Sequence, residues 1–251
     1  MVHFVGAGSG AVDLITIRGQ RLLSEADIVI YAGSLVNAEL LEYTKLGCQI
    51  YNSAHMTLDQ VVDVMIPNSL EGKNIVRLHT GDPSIYGAIR EQIDRLKVAG
   101  IEYDVCPGVS SFCGAAAALK AEYTLPNISQ TVIITRMPGR TPVPPKEKIS
   151  LLASHQATMV IFLSTGLLKE LKEELLLGGY QLTTPCAIVY KASWEDELVV
   201  RGVLRDLPQL AIDNNITKTA LIVVGEFLGD DYELSKLYDP TFSTEYREAT
   251  K

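Results

Sequence analysis

Three glycine-bearing turns carry the residues best placed to hold a ligand: Gly6-Ala7-Gly8-Ser9-Gly10, Gly81-Asp82-Pro83-Ser84-Ile85-Tyr86-Gly87 and Pro107-Gly108-Val109-Ser110-Ser111. The second follows the strand-like run Asn74-Ile75-Val76-Arg77-Leu78-His79-Thr80. Pro83 has a fixed φ and no amide hydrogen, so it ends the ladder and turns the chain. The flanking glycines accept backbone angles that side chains forbid and let a ligand approach the main chain. Asp82 stands where a buried strand ends, a costly place for a carboxylate without a partner, and ligands of open α/β sheets bind at that edge. The chemistry these residues suit is binding and orientation. A simpler role for Asp82 is to cap the helix that follows.

The first turn reads GxGxxA through Ala11, a dinucleotide-binding signature when it lies between a strand and a helix. That signature also asks for an acid at the end of the second strand, for the ribose hydroxyls. Here the second strand ends Ile30-Tyr31-Ala32-Gly33-Ser34, and Asp27 lies at its other end. A nicotinamide-dependent oxidoreductase is therefore disfavoured, and a tight turn with no ligand contact stays open. His3, His55, His79 and His155 are scattered, whereas a metal centre needs converging ligands, so no metal site is expected. His79 is the histidine nearest a binding loop, although a strand-end histidine is more often structural. Cys48, Cys106, Cys113 and Cys186 form no CxxC pair and read as reduced, partly buried thiols of a cytoplasmic protein.

An anionic ligand would need a local basic cluster, because the formal net charge is −8. Arg136, Arg140, Lys146 and Lys148 supply one, in and beside a proline-rich stretch at 138–145, with Arg18 and Lys191 as lesser candidates. Arginine pairs carboxylates in a bidentate fork, and the prolines keep the loop extended. The alternative is a solvated loop. The same charge argues against a nucleic-acid partner. Tyr31, Tyr86 and Tyr190 stand near strand ends, where ordinary packing is the commoner role.

The elements that must position these turns alternate in the first half. Strands are predicted at 3–7, 28–31, 48–52, 74–80 and 102–106, and helices at 14–26, 35–43, 57–70, 84–99 and 109–120. In the third helix Leu58, Val61, Val62 and Met65 share one face, Thr57 caps the start and Pro67 marks the end. Such alternation implies crossover connections and a mostly parallel sheet. The segment 122–130 has neither period and contains Pro126, so it reads as a linker between domains at 1–121 and 131–251. In the second half, strands are expected at 131–136, 158–163, 186–191, 197–204 and 218–225. Helices are expected at 146–154 and 205–214, with a stripe of Leu167, Leu168, Leu171 and Leu175 closed by Gly178-Gly179. The short turn between 186–191 and 197–204 suggests an antiparallel pair, hence a mixed sheet.

With 251 residues, 47% hydrophobic and 21% charged, the chain can bury real cores. No apolar run approaches the roughly 20 residues of a membrane helix, and no signal peptide is evident.

Taken together, the residues resemble the tetrapyrrole methylases, in the family's order and over nearly the whole chain. The matching segments are Val5-Gly6-Ala7-Gly8-Ser9-Gly10 with Leu14-Ile15-Thr16-Ile17-Arg18-Gly19, the loop from Gly81 to Gly87, Pro107-Gly108-Val109-Ser110-Ser111, Ile161-Phe162-Leu163-Ser164 and Thr219-Ala220-Leu221-Ile222-Val223-Val224-Gly225. A further set resembles the branch that acts on precorrin-4 or cobalt-precorrin-4: Tyr31-Ala32-Gly33-Ser34-Leu35, Ile134-Thr135-Arg136, Gly139-Arg140-Thr141-Pro142-Val143-Pro144, Tyr190-Lys191-Ala192-Ser193-Trp194, Lys218-Thr219-Ala220-Leu221-Ile222 and the tail Phe242-Ser243-Thr244-Glu245-Tyr246-Arg247. The resemblance implies a two-domain α/β fold, S-adenosylmethionine as cofactor, a tetrapyrrole substrate and a homodimer. It implies that Gly81, Asp82 and Ile85 contact the cofactor with Ser110 and Ser111 beside them. Leu163, Ala192 and Ala220 would enclose the adenosyl part, and Ser9, Arg18, Arg136 and Arg140 would meet the substrate.

One departure is clear. The family usually reads GAGPGDP at the first turn, and this chain has Ser9 for the first proline and Ala11-Val12 for the Asp-Pro pair. A loop with Ser9 is less rigid. Other readings are a methylase acting at another tetrapyrrole carbon or on another acceptor such as diphthamide or ribosomal RNA, and a tetrapyrrole-binding or delivery protein without transferase activity. Low basic content counts against RNA, and binding of S-adenosylhomocysteine would separate an enzyme from a carrier.

Overall fold

The computed structural model describes residues 1–250, which form two compact units. The first contains Met1–Ala115 and Lys191–Glu197, and the second contains Ala116–Tyr190 and the chain from Leu198 onward.

In the first unit, β1 (Val2–Gly6), β2 (Ile28–Tyr31), β3 (Gln49–Asn52), β4 (Ile75–His79) and β5 (Tyr103–Cys106) form a sheet in the order β3-β2-β4-β1-β5. Every pairing is parallel. β1 and β4 are buried along their whole length, as expected of inner strands covered on both faces. One face packs Val5, Val29, Val76 and Leu78 against Leu23 of α1 (Ile17–Glu25). The other packs Phe4, Ile28, Ile30 and Ile75 against Val61, Val62 and Met65 of α2 (Leu58–Leu70) and Leu96 of α3 (Arg90–Val98). Each fully buried side chain of this size contributes roughly 1.5–3 kcal/mol.

Helix limits differ from expectation at three places. α1 begins at Ile17, where the Thr16 hydroxyl accepts from the Gly19 amide (3.0 Å). The segment 35–43 winds as 3-10 turns at Gly33–Leu35 and Ala38–Tyr43. α3 starts only at Arg90, because Tyr86 (φ 55°) and Ala88 (φ 49°) take left-handed backbone that a helix excludes. α2 opens on a capping box between Thr57 and Gln60. Pro67 does not end it. The helix runs to Leu70, since proline within the last turn removes a single bond, and Gly72 (φ 84°) closes it.

The boundary between the units falls within α4 (Ser111–Leu119). The second unit holds β6 (Val132–Arg136), β7 (Thr158–Phe162), β8 (Pro185–Tyr190), β9 (Leu198–Val203) and β10 (Ala220–Val224), in the order β6-β7-β10-β8-β9. β6 and β7 are parallel and the other pairings antiparallel, giving the mixed sheet. Its core joins Met159, Ile161, Ile188 and Ile222 to Ile149 of α5 (Ile149–Ala153), Leu168, Leu171 and Leu175 of α6 (Leu168–Leu177), and Leu207 and Ala211 of α7 (Leu207–Asp213). α6 ends as expected: Gly179 has φ 108° and the Tyr180 amide donates back to the Leu175 carbonyl (3.2 Å). The segment 122–130 lies inside this unit as a hydrogen-bonded turn. Thr158 Oγ1 donates to the Tyr123 carbonyl (2.7 Å), the Thr158 amide donates to Ser129 Oγ (3.1 Å), and the Tyr123 ring stands edge-on to Phe227 (5.3 Å). Among the described residues no helix is long and apolar enough to cross a membrane.

Candidate functional site

The three glycine turns meet at the C-terminal edge of the parallel sheet. Gly6 ends β1, Gly81 follows β4 and Gly108 follows β5, and their main chains touch. A Cβ built on Gly108 would lie 2.2 Å from the Gly81 carbonyl oxygen and 2.7 Å from Gly6 Cα, and one on Gly6 would lie 2.6 Å from both Gly108 Cα and that oxygen. Side chains cannot enter this junction, so glycine is required. The Gly8 and Gly81 amides exchange hydrogen bonds with each other's carbonyls (3.3 and 2.9 Å). Gly81, at φ 58°, lies against Ser110 and Ser111 at the start of α4.

Asp82 locks this junction. Oδ1 accepts from the amide (2.8 Å) and the hydroxyl of Ser84, and Oδ2 accepts from the Gly108 amide (2.9 Å). Burial alone would raise its pKa. The hydrogen bonds from Ser84 and Gly108 outweigh that effect and hold the carboxyl below its ordinary value, so it is ionised at neutral pH. It does not cap α3, whose N-cap residue is Ile89. Ile85 is half-buried and Ser110 buried.

A buried polar pair not anticipated from the sequence joins Arg77 of β4 to Gln92 of α3. Arg77 Nε donates to Gln92 Oε1 (3.1 Å), its Nη1 donates to the Ile30 carbonyl (3.1 Å), and Gln92 Nε2 donates to the Ala88 carbonyl (3.0 Å). Burial lowers the Arg77 pKa to about 10, so it stays charged. His79 is 3% exposed and its Nε2 has no hydrogen-bond partner. Burial, with the Arg77 charge second, pushes its pKa down to about 3. It is a neutral side chain stacked near Phe4 (ring centroids 6.0 Å), in keeping with a structural role.

Ser9 is 9% exposed, and its hydroxyl bonds the Ser193 hydroxyl (2.8 Å). Ala192, on the same turn as Ser193, is buried, and its Cβ lies near Gly114 of α4. Arg18 is exposed on α1.

In the second unit, Leu163 follows β7 and Ala220 opens β10. Leu163 is 67% exposed, a large apolar side chain at φ 52°, and Thr219, next to Ala220, has φ 57°. Left-handed backbone at a leucine and a β-branched threonine is strained, and such strain gathers at functional sites. Ser164 is fully buried behind Leu163, donating to the Phe162 carbonyl (2.6 Å) and accepting from the Met137 amide (2.9 Å). The basic residues divide by their engagements. Arg136 donates to the carbonyls of Met137, Thr141 and Pro142 (3.2, 3.2 and 2.8 Å), so it folds its own loop. Lys148 pairs with Glu174 (2.9 Å) and Lys191 with Asp196 (2.6 Å). Arg140 and Lys146 are exposed.

Comparison with known proteins matches residues 1–208 to the family model of the tetrapyrrole (corrin/porphyrin) methylases. The chain is 55% identical to a cobalt-precorrin-4 C(11)-methyltransferase of Methanocaldococcus jannaschii, over all of this chain and 97% of the relative. It is 45% identical to the protein of the same name from Priestia megaterium, over all of this chain and 98% of that one. A solved structure of a cobalt precorrin-4 methyltransferase, a cobalamin biosynthetic enzyme, superposes with a TM-score of 0.89 at 45% identity, covering 91% of this chain and 96% of that structure.

Proposed function

Since the chain belongs to the tetrapyrrole methylase family, we propose that it transfers a methyl group from S-adenosylmethionine to C11 of cobalt-precorrin-4 in cobalamin biosynthesis. The observation that carries this reading is the 55% identity, from end to end, to a relative of that name. S-adenosylmethionine supplies a methyl group on a sulfonium leaving group, and the electron-rich macrocycle supplies the carbon nucleophile.

The residues suit that ligand pair. Asp82 is ionised and partly exposed beside the glycine junction, where a cationic ligand is favoured. Gly81 and Gly108 leave main chain open to close approach, Ile85 adds an apolar contact, and Ser110 and Ser111 bring hydroxyls. Leu163, Ala192 and Ala220 are assigned to the adenosyl part, and the exposed Leu163 side chain is the apolar surface such a group needs. These residues bind and align. Alignment lowers a barrier by roughly 7–11 kcal/mol, so the displacement needs alignment more than an acid or base. The sulfonium carbon–sulfur bond breaks as the ring carbon–methyl bond forms, S-adenosylhomocysteine leaves neutral, and the charge passed to the macrocycle is discharged by loss of a proton. For the macrocycle carboxylates, Arg140 and Arg18 are the exposed cations of the proposed set, with Lys146 beside Arg140. Arg136 acts by shaping the 137–142 loop. Ser9 acts through the loop it anchors. A homodimer working in the cytoplasm completes the proposal.

The test is mass spectrometry of cobalt-precorrin-4 and of precorrin-4 after incubation with the protein and S-adenosylmethionine. One added methyl on the cobalt form supports the reading. One on precorrin-4 alone moves the substrate to the metal-free form. None on either, with S-adenosylhomocysteine still bound, moves the acceptor elsewhere in the family.

A further inference from the structure

The first glycine turn lacks the family's usual proline, yet it is held at several points. Ser193 Oγ accepts from the Ala11 amide (3.1 Å) and shares a hydrogen bond with Ser9 Oγ (2.8 Å). Because Ser193 Oγ already accepts from Ala11, its own proton is available for Ser9. Ser193 stands at φ 66°, and its amide donates to Glu197 Oε2 (2.6 Å), which fixes the turn. Trp194 lies flush on Gly10, where a Cβ would come within 2.1 Å of its indole, and Asn37 Nδ2 donates to the Gly10 carbonyl (3.1 Å). Lys191 braces the indole from 5.3 Å while paired with Asp196. Gly114 completes the fit, since a Cβ there would meet Ser9 Cβ at 2.7 Å.

We propose that Ser193 is a positioning residue that clasps the 8–11 loop and fixes its conformation for the macrocycle, replacing by hydrogen bonds the stiffness that proline gives elsewhere in the family. The physical logic is one of constraint. Proline limits a loop by restricting φ, and two hydrogen bonds with a seated indole reach the same end from outside it. Removing the Ser193 hydroxyl leaves a buried hydroxyl and an amide without their partner, which costs more than an average hydrogen bond. The clasp holds the loop by its Ser9 side chain and Ala11 amide, so its loss should act on substrate affinity and leave the aligned reaction intact. The role in substrate binding rests on the proposed methylase function, whereas the mechanical role does not.

The experiment compares the full chain with Ser193→Ala, Ser9→Pro and the double variant, reading hydrogen exchange across 8–14, affinity for S-adenosylhomocysteine, and KM and kcat for cobalt-precorrin-4. Ser193→Ala is expected to speed exchange at Ala11 and raise the macrocycle KM about tenfold, with kcat and S-adenosylhomocysteine affinity within about twofold. Ser9→Pro in the Ser193→Ala background should recover most of the KM. Unchanged exchange at Ala11 in Ser193→Ala overturns the clasp. So does a uniform loss of melting temperature, cofactor affinity and kcat without a KM effect, which would mark a merely structural residue. If the unaltered protein methylates neither macrocycle, the functional reading fails, and the exchange data alone still decide the mechanical claim.

Discussion

At the scale of single residues, Asp82 carries the most weight, because one carboxylate joins two of the three turns. Asp82→Ala removes every hydrogen bond that side chain accepts. We expect calorimetry to show S-adenosylhomocysteine affinity falling about tenfold or more in a folded variant. Asp82→Asn keeps an acceptor for Ser84 and presents the Gly108 amide with a donor, so an intermediate loss is expected. Unchanged affinity in both variants would remove Asp82 from the site. His79 gives a separate acid test. Its folded-state pKa of about 3 lies below the ordinary 6.5, so the unfolded chain binds a proton that the folded one refuses. Stability is therefore complete above pH 6.5 and falls as pH drops toward 3, by up to about 1.4 kcal/mol per pH unit from this group. The difference in unfolding free energy between the protein and His79→Leu, read from urea unfolding, should shift against the protein by about 2 kcal/mol between pH 7 and pH 5. A constant difference would mean that His79 is protonated, or accessible, in the folded state.

At the scale of elements, the glycine junction makes a strong demand on the main chain. Gly108→Ala places a methyl within reach of the Gly81 carbonyl oxygen, and neither is the end of a flexible side chain. The β4 and β5 turns must then part, and we expect a loss of several degrees in Tm together with weaker S-adenosylhomocysteine binding. Normal binding with a lowered Tm would show the junction to be a packing feature only. The strands that build this edge were legible in the sequence because β1 and β4 are short runs rich in Val, Ile, Leu and Phe, buried along their length although they carry His3, Arg77 and His79. So was the Thr57 cap, whose residue type is sufficient. The true start of α3 was not, since left-handed backbone at Tyr86 and Ala88 leaves no mark in residue type, unlike the glycines around it. The segment 122–130 has no period because its order comes from Thr158, Ser129 and Phe227, partners distant in sequence. The same holds for Ser193: its motif was visible, and its partners at Ser9 and Ala11 were not.

At the scale of the whole molecule, a net charge of −8 sets the terms for a polycarboxylate substrate. In the proposed substrate site the exposed cations Arg140 and Lys146 would supply the local counter-field, and charge pairs at exposed positions are screened by salt. We expect Arg140→Ala to raise the macrocycle KM severalfold with kcat preserved, and to weaken the salt dependence of KM. If KM and its salt dependence stay the same, that loop does not meet the substrate. The central claim is that this chain methylates one carbon of one macrocycle. The most direct measurement is carbon-13 NMR of the product made from cobalt-precorrin-4 and S-adenosylmethionine labelled in its methyl group. A single enriched methyl bonded to C11 is predicted, and an enriched methyl on any other carbon, or none at all, would contradict the account.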